Sequence, residues 1–216
     1  MDKLRVVALI CPDCGSQLAG LSYDQIFFCR RCGQGLAPGE KGAWTKHPLS
    51  FAKLDNRPQA DIIYLPFWQI AIQAQASCVN QGQEIASRLL AELRSVWVPG
   101  FTLTRASYFG DLGVLYTEKR VSLKAEDQIP SDRAIVGCSR TMEDVNKYVR
   151  LYVTLILDKR ADVTGMDINI ATRDAKLWAV PFADYGDKIV DLLTGTELPA
   201  FALDDIQEIR KFGRKG

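Results

Sequence analysis

Four of the six cysteines fall into two units of one pattern, Cys11-Pro12-Asp13-Cys14-Gly15 and Cys29-Arg30-Arg31-Cys32-Gly33, with fourteen residues between Cys14 and Cys29. Two residues between a pair of thiols let both sulfurs converge on one ion from a tight turn. The glycine that follows can take the positive φ such a turn needs, leaving backbone N–H groups free to point at the sulfurs. Together the two units supply four thiolates, a closed tetrahedral shell with no position left for water. Cys11, Cys14, Cys29 and Cys32 are therefore read as the ligands of one metal ion. Such a shell folds a segment and offers a substrate no open coordination site.

The stretch that carries both knuckles, roughly residues 5–40, resembles the zinc ribbon family. That resemblance implies one structural Zn2+ holding two or three short strands with almost no apolar core. A rubredoxin-type iron centre has similar knuckles but usually a longer separation, so zinc is preferred. The intervening GSQLAGLSYDQIFF is long enough for a hairpin, and Ile26-Phe27-Phe28 reads as the strand that delivers the second knuckle. A ribbon head followed by a Leu-Pro-Phe-Trp strand is also similar to bacterial proteins of unassigned function, which implies nothing chemical.

The other residue types that do chemistry are sparse. His47 is the only histidine, which removes the usual general base for a serine or cysteine nucleophile. Before Pro48 it reads as an exposed linker residue. Cys78 and Cys138 stand alone and read as small buried hydrophobes. Two groups of acids, Asp162, Asp167 and Asp174, then Asp184, Asp187 and Asp191, lack calcium-loop spacing and read as turn formers. There is no phosphate loop, dinucleotide fingerprint or nucleophile elbow. No catalytic residue is assigned, and the chain is expected not to be an enzyme.

Charge bears on the partner. The formal charge is +1, and residues 1–60 carry +3. A zinc in four thiolates has charge −2, so the module keeps about +1. Arg30 and Arg31, with Lys3, Arg5, Lys41 and Lys46, are the candidate phosphate contacts; Phe27, Phe28 and Trp44 are the candidate stacking faces. Residues 61–216 hold nineteen bases and twenty-one acids and add no basic field. The leading expectation is a non-catalytic interaction or adaptor protein with a protein partner, the ribbon presenting Leu18, Leu21, Tyr23, Arg30 and Arg31. Nucleic-acid binding through the ribbon is the alternative, and a thiol redox switch at the four ligands is the second. The N-terminal apolar run is too short for a signal peptide and no apolar stretch reaches membrane-spanning length, so a cytoplasmic protein away from membranes is expected.

These groups need elements to hold them. The expected organisation is α+β: a small N-terminal β zinc ribbon over residues 1–40, a linker or extended wrap over 41–60, and a mixed α+β domain of unknown function over 61–216. Period-2 alternation from Ile70 to Ala76 predicts a strand, 83–93 a short helix, and 95–101 another strand. Leu103, Ala106, Phe109, Leu112 and Tyr116 share one face of a predicted helix. The clearest helix carries Val145, Tyr148, Val149, Tyr152, Leu155 and Ile156, with Thr141 and Asp144 as a capping pair. GMDINIA and AKLWAVPF around the turn-like Thr172-Arg173-Asp174-Ala175 predict a hairpin, KIVDLLTGTELP a strand turning at Thr194-Gly195, and FALDDIQEIRKFG a final short helix. Pro66, Pro99 and Pro181 each stand in an aliphatic-proline-aromatic segment. They are expected at strand ends, edges or bulges, with their aromatics in one core or, alternatively, lining a groove.

Overall fold

The computed structural model describes residues 8–18, 23–39, 42–77, 83–102, 107–130 and 134–205. It is α+β, with a small N-terminal sheet and a larger one. The small sheet is an antiparallel meander of β1 (Phe27–Phe28), β2 (Gly35–Pro38) and β3 (Trp44–His47). There follow β4 (Leu49–Phe51), β5 (Asp61–Ser77), α1 (Glu84–Glu92), β6 (Ser95–Pro99), α2 (Ser107–Glu118) and β7 (Ala134–Ile135). The chain continues through α3 (Met142–Asp158), β8 (Asp167–Asp184), β9 (Lys188–Asp191), β10 (Glu197–Pro199) and a 3-10 turn at Ala200–Asp205.

The large sheet is built on one long antiparallel ladder. β5 and β8 pair from Asp61 opposite Asp184 to Ser77 opposite Asp167. Short strands flank it: β6 and β7 along β5, β4 and β9 along β8, with β10 outside β9. The hairpin expected around Thr172–Ala175 is absent, because β8 runs straight through it. Ile70 pairs with Ala175 and Ile72 with Thr172, so β8 carries one extra residue there, and the turn-forming residues make a β-bulge. A 17-residue partner strand fixes the ladder on both sides of the irregularity and overrides the local turn preference.

Of the three prolines expected at strand ends, edges or bulges, Pro66 and Pro181 lie inside the two longest strands and Pro99 ends one. In an antiparallel strand a residue's N–H and C=O point to the same side. The Pro66 carbonyl accepts from Gly100 N (2.8 Å) and that of Pro181 from Leu192 N (3.2 Å), so both prolines turn away from the central ladder. Each faces the place where a flanking strand stops: β6 ends at Pro99, and β9 pairing begins at Phe182. The missing N–H therefore removes no bond from the β5–β8 ladder.

Both faces of the sheet are covered. On one, Trp68, Ile70, Val96, Val98 and Leu177 pack under α1 and α3. On the other, Leu65, Phe67, Trp97, Trp178, Val180 and Phe182 pack under α2 and the 3-10 turn. Phe67 stands 5.7 Å from Phe101, 5.4 Å from Tyr116 and 6.4 Å from Phe182, ring centre to ring centre. The proline-aromatic segments thus meet in one core, and those three phenylalanines line no groove. The α3 capping box is present: Thr141 accepts from Asp144 N, and the Asp144 carboxylate accepts from Thr141 N. Leu155, expected inside, is exposed.

Residues 42–60 are pinned rather than loose along much of their length. β3 pairs with β2, β4 runs parallel to β8, and Ala52 bridges to Ala125. His47 sits in β3, half-buried, edge-on to the Trp68 ring at 6.3 Å, which corrects the expectation of an exposed linker side chain. Burial holds its imidazole below the usual value. Leu103 and Ala106 lie outside the described residues, as does the C-terminal segment beyond Asp205. Among the described residues no helix is long and apolar enough to cross a membrane.

Candidate metal centre

The two knuckles fold alike. Cys11 N donates to Ser16 O (2.9 Å) and Gly15 N to Cys11 O (2.9 Å); Cys29 N donates to Gln34 O (2.9 Å) and Gly33 N to Cys29 O (2.8 Å). The turn closes at a glycine in each case, with φ of 70° at Gly15 and 69° at Gly33, a region that costs a side chain-bearing residue energy. Each turn aims its two cysteine side chains at a common point. The four Sγ atoms lie within 4.8 Å of one another, with Cys11 to Cys32 at 3.6 Å and Cys14 to Cys29 at 3.4 Å. Around an ion at about 2.3 Å from each sulfur, a regular tetrahedron has edges of about 3.8 Å. The four thiols are positioned to hold a metal ion, and all four are free of disulfides.

Burial and hydrogen bonding act on these thiols in opposite directions. Burial first, with the neighbouring thiols, pushes Cys32 up to about 12, and burial raises Cys29 as well. Cys14 is drawn down to about 6 because the Ser16 hydroxyl and backbone N–H donate to its sulfur. A divalent ion among the four sulfurs would favour the thiolate at every ligand.

A small apolar cluster surrounds the thiols: Leu18, Phe27 and Leu36, with Leu9 and Trp44 packed at its margin. Phe27 meets Trp44 edge-on at 6.2 Å. This corrects two expectations. Leu18 is 2% exposed and presents nothing to a partner, and Phe27 and Phe28, at 7% and 3%, are not open stacking faces. Lys46 Nζ lies 2.6 Å from Asp13 Oδ1 and ties β3 to the first knuckle. Arg30 and Arg31 are exposed at the tip of the second knuckle and Tyr23 is half-buried, while Leu21 lies outside the described residues.

The remaining candidates stay apart from the four thiols. Cys138 is fully buried, its thiol donating to Gly100 O (3.1 Å) and Arg140 O (3.2 Å), and burial pushes it up to about 12. Cys78 lies outside the described residues. Of the six acids expected to form turns, Asp167 and Asp174 instead stand within β8, while three others hold turns. Asp162 accepts from Thr164 N (2.9 Å) and Asp184 from Gly186 N (2.8 Å). Asp191, fully buried, accepts from Leu193 N (3.0 Å), Thr194 N (3.1 Å) and the Thr194 hydroxyl. Asp61 and Asp184 face across the ladder at an open cleft of about 660 Å³, lined by Gln59, Ala60, Tyr185 and Gly186 besides.

Sequence reasoning missed the contacts that seat the four-cysteine segment on the large sheet. Ile26 N donates to Cys138 O (2.9 Å) and Cys138 N to Ile26 O (3.3 Å). Ile26 and Phe28 share one apolar cluster with Trp68, Ile70, Val98 and Cys138. The Asp24 carboxylate lies against Gly137, where any Cβ would overlap it. The only local signal for that seam is the small pair Gly137-Cys138 beside an apolar run. Compared with protein-family models, curated proteins and solved structures, the chain matches none.

Proposed function

We propose that the chain is a zinc ribbon protein in which one structural Zn2+ is held by Cys11, Cys14, Cys29 and Cys32, and that it acts without catalysis as an interaction module in the cytoplasm. The observation that carries this reading is the set of four sulfurs converging from two matched knuckles. Zinc suits an all-thiolate tetrahedral shell, and four protein ligands leave it no water to activate. Its contribution is to fold: residues around Leu18, Phe27 and Leu36 bury too little apolar surface to hold the segment alone.

A protein partner is favoured over nucleic acid. The aromatic rings a strand of bases would stack on are buried or edge-packed, and Lys46 is paired with Asp13. The surface proposed to meet the partner is the exposed second-knuckle tip with Arg30 and Arg31. The test is a native pull-down of the tagged chain from its source lysate, in nuclease-treated and untreated halves, beside an Arg30→Ala/Arg31→Ala variant. The reading expects named proteins at fixed stoichiometry in both halves and their loss in the variant. Companions that vanish with nuclease, and binding that falls steeply with salt, would make the ribbon a nucleic-acid reader.

A further inference from the structure

The two knuckles are held very differently. The second is gripped from both ends by chain that belongs to the body. Immediately before Cys29, Phe28 and Ile26 are 3% and 0% exposed within the α1–α3 face of the large sheet. Ile26 bonds in both directions to Cys138, Gln25 N also donates to Cys138 O (2.9 Å), and Asp24 fills the space above Gly137. Immediately after Cys32, Gly33 backs onto Ile129, whose Cδ1 would stand 2.5 Å from a Cβ there. β2 then leads through β3 and His47, edge-on to Trp68, into β4 and the β8 ladder. Among the described residues, no strand joins the first knuckle to the large sheet. That knuckle's described neighbours are the small cluster of Leu9, Leu18, Phe27, Leu36 and Trp44, and the exposed Asp13–Lys46 pair.

From this asymmetry we infer that the body pre-builds half of the metal site, so that metal occupancy and the seating of Asp24–Phe28 on Gly137–Cys138 are thermodynamically linked. Cys29 and Cys32 stand ready in a knuckle the body has fixed. The metal's work is to capture Cys11 and Cys14 onto it. Linkage is reciprocal: whatever loosens the seam weakens metal binding, and whatever removes the metal loosens the seam by the same factor. Residues that touch no ligand thereby set the affinity of the site. Removing the metal in turn raises the small fraction of molecules in which Ile26, Phe28 and Trp68 stand uncovered. This regulation rests on the reading of the four thiols as a metal site.

The test uses the full chain and two seam variants, Gly137→Ala, which forces Asp24 out, and the milder Ile26→Ala, which leaves a gap. Zinc affinity is measured by competition with a chromophoric chelator, and Cys138 labelling by mass spectrometry before and after chelation. The inference expects both variants to keep the far-ultraviolet spectrum of the parent and bind zinc at least tenfold more weakly. It also expects chelation of the parent to speed Cys138 labelling at least tenfold. Folded variants with parental affinity, and Cys138 labelling that ignores the metal, would overturn the linkage while leaving the metal site intact. A parent chain that takes up no zinc would overturn the site itself.

Discussion

The ribbon gathers Leu18, Phe27 and Leu36 around four thiols, while the body's sheet is covered on both faces by helices and carries interlocked aromatic rings on one of them. Both regions contain antiparallel β-strands, yet they reach stability by different physics. In the body, long strands and two covering layers remove enough apolar surface from water for the fold to stand on burial. In the ribbon the strands run two to four residues, and convergent sulfurs take the place of a core. Each region is therefore vulnerable to a different loss: one to a missing thiol, the other to a missing ring.

The sharpest way to break that comparison is Cys29→Ser. Structural zinc supplies roughly 10–16 kcal/mol in comparable peptides, so the variant should lose its metal and the ribbon its resistance to limited proteolysis. The helices and strands of the body should persist in the circular dichroism spectrum. The converse is Phe67→Ala, which empties the centre of the aromatic cluster and should cost about 3–5 kcal/mol in denaturant unfolding, with zinc content unchanged. Equal sensitivity of zinc content to both changes would erase the distinction between the regions.

Smaller effects sharpen the description of the body. Asp191→Ala strips three donors of their acceptor in the half-buried β9–β10 turn and should cost about 1–3 kcal/mol, read as a shift in the unfolding midpoint. Thr141→Ala removes one half of the α3 capping box, at about 1 kcal/mol. Asp144 supplies the pH dependence: donation from Thr141 to its carboxylate, side chain first, lowers its value in the folded state. Its contribution is therefore present above the ordinary carboxylate range and is lost as pH falls through the lowered value. In Thr141→Ala the stability profile between about pH 5 and pH 3 should flatten relative to the parent.

The convergence of the four cysteines and the longer helices were legible because their signals are local. Spacing within Cys-x-x-Cys-Gly dictates a knuckle whatever surrounds it, and α3 carries its own cap and its own apolar stripe. What could not be read depends on partners distant in sequence. Thr172-Arg173-Asp174-Ala175 has the residues of a turn and becomes a bulge only because β5, a hundred residues away, pairs on both sides of it. Pro66 argues against an internal strand until β6 is seen to stop beside it. Leu18 looks like surface in a glycine-rich segment until Phe27 and Leu36 close over it. The seam of Ile26 with Cys138 joins residues more than a hundred positions apart and leaves almost no trace in either stretch.

The central claim is a closed metal shell that folds the ribbon and leaves no coordination site for chemistry. X-ray absorption at the zinc edge of the purified chain, with metal stoichiometry on the same sample, tests it most directly. The account predicts one zinc per chain with four sulfur neighbours at about 2.3 Å and no light-atom neighbour. Three sulfurs with an oxygen or nitrogen in the fourth place would contradict it, opening the site to catalysis.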